Sequence, residues 1–186
     1  MSATPINYIE RGDLLLSHPL ISDLDFKNTV VLLVNKDKVA VTGFILNNKS
    51  NFTLKDAFGE EWPDLPLLIG GPVEQESLFY IHRSSNLIPK SEHICGDLYW
   101  GGDFRKMREA LFNNKLKEQD ILFFIGYSGW SLDQIMDEIK EESWALVKNY
   151  NLRNLEYKNN FYNELRGHLP ETFKIWSNTP KEINWN

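Results

Sequence analysis

The chain has 186 residues, 42% of them hydrophobic and 25% charged, with a net charge of −6 and six tryptophans. Such a length and apolar share support a sizeable core and exclude an intrinsically disordered chain. An acidic chain with no clustered Lys or Arg lacks the basic stripe on which direct DNA binding rests, and Cys95, the only cysteine, excludes an intrachain disulfide. From Met1 to Gly12 no basic segment precedes an apolar one, so no signal peptide is read there. The longest apolar runs, such as Ile121 to Ile125, are far too short for a bilayer. The expectation is a cytoplasmic protein forming one domain over 1–186, with no membrane partner.

The first element is the apolar run Leu14-Leu15-Leu16, closed by His18-Pro19. Proline biases the preceding residue away from helix, so the run reads as a buried strand ending at a bend. Thr29 to Val34 and Val39 to Leu46 read as a β-hairpin joined by the polar turn Asn35-Lys36-Asp37-Lys38. Gly43 in its second strand marks a bulge or a close backbone approach, and Asn47-Asn48 ends it. Leu54 to Phe58 reads as a short helical turn stopped by Gly59. Leu67-Leu68-Ile69 is a brief buried strand running into Gly70-Gly71-Pro72-Val73. Ser77 to His82 is a further strand, with Leu78, Tyr80 and His82 on one face and Phe79 and Ile81 on the other.

Asp103 caps a helix whose apolar positions are Phe104, Met107 and Leu111, with Asn113-Asn114 as its left-handed stop. Ile121 to Ile125 is the most hydrophobic strand. It is followed by Gly126-Tyr127-Ser128-Gly129-Trp130, read as a tight glycine turn, and by a helix with the capping-box pair Ser131 and Gln134. Leu132, Ile135, Met136 and Ile139 line one face of that helix, and Trp144 to Val147 returns to strand. Tyr157, Phe161 and Leu165 repeat every four residues up to Gly167, and Glu171 to Trp176 forms one more short turn. Hairpins mixed with isolated helices point to an α+β fold.

Few residues carry the spacing that chemistry needs. A strand, a turn and a capped helix at Gly126 is the setting of a hydrolase nucleophile elbow. That motif needs Gly-x-Ser-x-Gly so that small residues let the strained serine project. Here Trp130 stands two residues after Ser128, so the glycines are read as serving the turn, Ser128 as bonding to backbone and Trp130 as packing in the core. The alternative is a hydrolase in which Ser128 is the nucleophile and His82, at a strand end, its base. Gly70 and Gly71 do not form a P-loop, since no Gly-Lys-Ser/Thr follows; they are read as a turn, with anion binding through backbone N–H groups as the alternative. His93-Ile94-Cys95 matches no standard zinc spacing. No metal, cofactor or catalytic residue is expected.

The ordered blocks resemble the AlgH/YqgE family of bacterial proteins. They are Gly12-Asp13-Leu14-Leu15-Leu16-Ser17-His18-Pro19, Phe26 with Thr29-Val30, Thr42-Gly43-Phe44-Ile45-Leu46-Asn47, Gly70-Gly71-Pro72-Val73, Leu78 to His82, Leu98-Tyr99-Trp100-Gly101-Gly102-Asp103, and Gly126 to Trp130 with Gln134, Glu138 and Trp144. They cover roughly residues 10 to 148; the tail 149–186, read as helical, matches less clearly. The resemblance implies an α+β fold around a partly open β-barrel-like sheet with flanking helices. It also implies a transcriptional regulator, a label taken from control of alginate synthesis, with no activity, cofactor or DNA site attached. The acidic charge makes that regulation indirect, through a ligand- or protein-binding module; direct DNA binding is the remaining alternative. The candidate surface for a small-molecule or protein partner is Asn47, Gly70, Gly71, Pro72, His82, Tyr127, Ser128 and Gly129.

Overall fold

The structure, a computed structural model, describes residues 9–152, 155–169 and 173. In chain order these form β1 (Leu14–Ser17), β2 (Val30–Lys36), β3 (Ala40–Ile45), β4 (Lys49–Thr53), α1 (Leu54–Phe58), β5 (Pro66–Ile69), β6 (Val73–His82), β7 (Glu92–Cys95), β8 (Leu98–Trp100), α2 (Phe104–Phe112), β9 (Ile121–Ser131), α3 (Leu132–Lys140), β10 (Trp144–Val147) and α4 (Phe161–Arg166). One sheet runs in the order β10-β1-β2-β3-β9-β6-β8-β7, with β5 on β9 and β4 on β5. All pairings are antiparallel except β5 with β9. The class is α+β, as read, and the sheet curls without closing. Its far strand β7 meets the β1 end only through side chains: Arg11 donates to the His93 carbonyl, and Cys95 packs against Gly12. No helix among the described residues is long and apolar enough to cross a membrane.

The local signals explain most of this layout. The Leu14–Leu16 run is buried on both sides because β1 lies between β10 and β2 and has core on each face. Leu14 and Leu16 join Leu32, Phe44, Ile81 and Phe124 in the inner core under α4. Leu15 joins Val31, Ile45 and Trp130 in the outer core under α3. Thr53 and Asp56 make a reciprocal capping box on α1, Asp103 caps α2, and Ser131 caps α3. In the β2–β3 hairpin the turn is shorter than read. Asp37 accepts hydrogen bonds from Val39 and Ala40, which extends β2 to Lys36 and leaves Val39 exposed at the tip. A bulge at Val34 faces Gly43, whose missing side chain lets β2 approach.

Three readings need correction. Gly126 to Trp130 is not a tight turn: β9 runs through it to Ser131, pairing with β3 from Ser128 onward. The glycine serves a different purpose. β5 lies along one edge of β9 and β6 along the other, so the chain crosses the β9 backbone at Gly70–Pro72. At that crossing Gly126 takes φ 68°, and Gly71 sits against the Tyr127 carbonyl with no space for a side chain. Phe104 is not a core position; it is exposed, and Ala110 joins Met107 and Leu111 in the buried face of α2. The helix read from Tyr157 begins at Phe161, and the turn read at Glu171 to Trp176 lies outside the described residues except for Phe173.

Candidate functional site

Seven of the eight residues read as a candidate surface come together at the crossing, and His82 does not. Gly70 lies between β3 and β9: its carbonyl accepts from the Ile45 N–H and its own N–H donates to Ile125. The Ser128 hydroxyl donates to the same Gly70 carbonyl at 3.0 Å and is fully buried. Asn47, two residues beyond Ile45, ties the end of the hairpin by accepting from the Val30 N–H and donating to the Asn28 carbonyl. Of this cluster Pro72 and Gly129 are exposed and Asn47 and Tyr127 are half-buried, while Gly70, Gly71 and Ser128 are buried.

His82 pairs with Ile121 at the other end of β9. Ser128 is the seventh residue along β9 from Ile121, roughly 20 Å away at the usual rise. Ser128 and His82 therefore form no nucleophile–base pair. His82 has its own partners. Its Nδ1 accepts from the Ser84 N–H, so Nε2 carries the proton and donates toward the Gly101 carbonyl at 3.1 Å and the Ser91 hydroxyl at 3.0 Å. The Ser91 hydroxyl itself donates to the Ile88 carbonyl. An imidazole that donates to a serine is not poised to take that serine's proton, so the Ser91 contact holds the loop before β7 in place.

Burial holds the His82 imidazole below its ordinary value of 6.5, against the opposing pull of the Gly101 carbonyl. The native state therefore binds this proton less readily than the unfolded chain, and stability falls as pH drops below 6.5, levelling once the native imidazole is also charged. His18, lowered by partial burial against the field of Glu142, adds to the same slope. Asp37 and Asp103, held below the usual carboxylate range by backbone N–H donors, lose their contribution only at lower pH. Urea midpoints measured between about pH 7.5 and 5 should show a slope that shrinks in His82→Gln; an unchanged slope would mean the imidazole binds its proton equally well in the native and the unfolded chain.

A cavity of about 350 Å³ lies elsewhere, between the inner sheet face and the segment after β10. Leu46, Ile81 and Leu122 form its sheet wall; Leu152, Leu155 and Phe161 close it, and Tyr150, Lys158, Glu156 and Glu164 bring polar groups to it. The segment is fixed at both ends. Arg83, the first residue after β6, pairs with Asp97 and donates to the Leu152 carbonyl. Tyr162 on α4 donates to the Ser17 carbonyl at 2.8 Å. Tyr150 donates to Glu164, and Lys158 lies over the Phe161 ring. A second cavity of about 260 Å³ shares Leu122, Leu155 and Glu156 with the first. The sequence offered no sign of this site, because its outer wall is built from the tail that carries few motifs. Its only local trace is the spacing of Tyr157, Phe161 and Leu165.

The sequence matches the AlgH-like family over residues 14–170. A UPF0301 protein of Cytophaga hutchinsonii is 34% identical over 183 residues, which covers 96% of this chain and all of that one. A UPF0301 protein of Parabacteroides distasonis is 32% identical over 177 residues, 92% of this chain and 89% of the relative. Among solved structures, the solution structure of the AlgH protein from Pseudomonas aeruginosa superposes with a TM-score of 0.72 at 18% identity, covering 98% of this chain and 100% of that one. A crystal structure of a Corynebacterium diphtheriae protein gives 0.75 at 18% identity, covering 95% of each chain. At that identity the two structures speak for the fold alone.

Proposed function

This chain belongs to the AlgH-like family, and we propose that it is a binding module whose ligand is a small, largely apolar molecule held in the cavity behind Leu122. The single observation behind this is the cleft of about 350 Å³ with an aliphatic floor and a few polar groups at its edge, the usual composition of a small-molecule site at the low end of the size range. Two carboxylates, Glu156 and Glu164, stand against one cation, Lys158, so the polar end of the ligand is neutral or cationic. The site lies one residue along the chain from Asn47 and His82, since Leu46 and Ile81 are in its wall. Its outer wall is the segment that Arg83 and Tyr162 tie to the sheet, so occupancy bears on how that segment is held. The regulation is indirect: the chain acts on transcription through a partner, consistent with a net charge of −6.

N-phenylnaphthylamine, a neutral apolar fluorophore, is a suitable probe. Its emission should rise saturably at one site per chain, and Leu122→Trp, which fills the floor, should weaken binding at least about tenfold while the circular dichroism spectrum stays native. Absence of saturation, or a variant that binds as well as the wild type, refutes the cavity reading. Retention of duplex DNA at low salt, lost as salt is raised, refutes the indirect one.

A further inference from the structure

The exposed side of α2 carries a feature that the cavity does not use. Phe104, Arg108 and Phe112 are spaced by four and form one stripe along the helix, bordering the buried face of Met107 and Leu111. Beside the stripe lie Phe58 and Trp62 from the α1 segment. Trp62 is the hub. Its ring is 5.4 Å from Phe58, 5.4 Å from Phe112 and 6.1 Å from Phe104, centroid to centroid. The Arg108 guanidinium stands 5.6 Å from the Trp62 ring and 5.0 Å from that of Phe112. Trp62 is only 7% exposed, whereas Phe58, Phe104 and Phe112 keep 42%, 46% and 37% of their surface in water. Three half-open phenylalanines around a buried tryptophan, with an arginine laid across, have the composition of the centre of a protein interface.

The charges beside this patch are unequally divided. Residues 55–64, the α1 side, hold Asp56, Glu60, Glu61 and Asp64 against Lys55. Residues 105–117, the α2 side, hold Arg105, Lys106, Arg108, Lys115 and Lys117 against Glu109. This is a local cation excess in a chain that is acidic as a whole. One border of the aromatic patch is negative and the other positive. A two-fold axis through such a patch sets the α1 border of one copy against the α2 border of the other, twice, so the surface is complementary to itself.

We propose that this patch is the contact surface of an isologous dimer, with a second copy of the same chain as its occupant. Each copy lays its phenylalanines against the other's, covering the aromatic area left open in one chain, and the opposed borders set the register and speed encounter.

The proposal is tested by charge reversal. One variant carries Arg105→Glu, Lys106→Glu and Arg108→Glu, which leaves Lys115 and Lys117 against four glutamates and makes the α2 border negative. The other carries Glu60→Lys with Glu61→Lys, which makes the α1 border positive. All five side chains are exposed, so both variants fold. In sedimentation equilibrium at low salt, the wild type should approach twice the mass of one chain with rising concentration, and each variant alone should stay at one chain mass. An equimolar mixture should return to twice the mass, because each unlike border then meets its opposite. Phe104→Ser should weaken all associations without changing which pairs form. A wild type that stays at one chain mass overturns the proposal, even if its α2 face captures a foreign protein or DNA instead. So does a wild-type dimer indifferent to both variants, or a mixture that fails to reassociate.

Discussion

Trp130→Ala should lower the unfolding free energy by about 3–5 kcal/mol, the usual cost of removing a large buried ring. Against the roughly 5–15 kcal/mol that holds a typical domain together, this leaves the protein close to unfolding at ambient temperature. The ring is 5% exposed on the outer face of β9, stacks on Phe26 with centroids 5.6 Å apart and meets the edge of Trp144 at 5.7 Å. Its indole N–H donates to Glu138 Oε2 at 3.1 Å, and the Trp144 indole donates to the same oxygen at 2.7 Å. Gln134 donates to the other carboxylate oxygen. One carboxylate on α3 thus collects two indoles from two strands and fastens the helix to the sheet. Thermal unfolding monitored by circular dichroism reads the loss. A melting temperature within a few degrees of the wild type would mean the ring does little packing. Trp130, Gln134, Glu138 and Trp144 stood together in the sequence as one block of the family resemblance, and here they are a single hydrogen-bonded unit.

Gly126→Ala should be far more damaging than Gly101→Ala, although both glycines have positive φ, 68° and 64°. A left-handed conformation costs an L-residue about 1–2 kcal/mol wherever it occurs. At Gly101 nothing lies within 4 Å of the added methyl, so that cost is all that is expected. At Gly126 the methyl would lie 2.5 Å from the Gly71 carbonyl oxygen and 2.8 Å from that of Val73. Neither oxygen belongs to a flexible side chain, so the two crossing strands must separate, adding overpacking of about 1–3 kcal/mol or more. Urea denaturation of the two variants separates the terms. Equal losses would show that the crossing yields easily and that Gly126 is needed only for its dihedral angle.

Much of the sheet was legible because its strands carry their own signals. Leu14 to Leu16, Thr29 to Val34, Leu67 to Ile69 and Ile121 to Ile125 are apolar runs buried on both faces, and the alternation in Leu78 to His82 separates the two cores as read. The caps at Asp103 and Ser131 and the left-handed Asn114 also follow local rules. Strands β4, β7 and β8 gave no such signal. Each has only three to five residues, and Glu92, His93 and Lys49 point to solvent, so the pattern that marks a half-buried strand never develops.

The candidate site divided differently. Spacing alone judged Gly-Tyr-Ser-Gly-Trp a poor nucleophile elbow, and the buried Ser128 bonded to Gly70 agrees. That His82, on β6, lies beside the first residue of β9 while Ser128 stands near the other end of β9 could not be read from residues 46 apart in the chain; the β6–β9 register decides it.

What the residues by themselves determined is therefore local: where strands and capped helices lie, which side chains face a core, and the family they compose. Only the tertiary structure decided that the glycines at 70, 71 and 126 serve a crossing of two backbones, that a cavity opens behind Leu122, and that Phe104 joins a surface patch. The physical reason is range. Propensity and periodicity act over a few residues, whereas a crossing, a cavity and a patch each come from segments brought together by strand pairing.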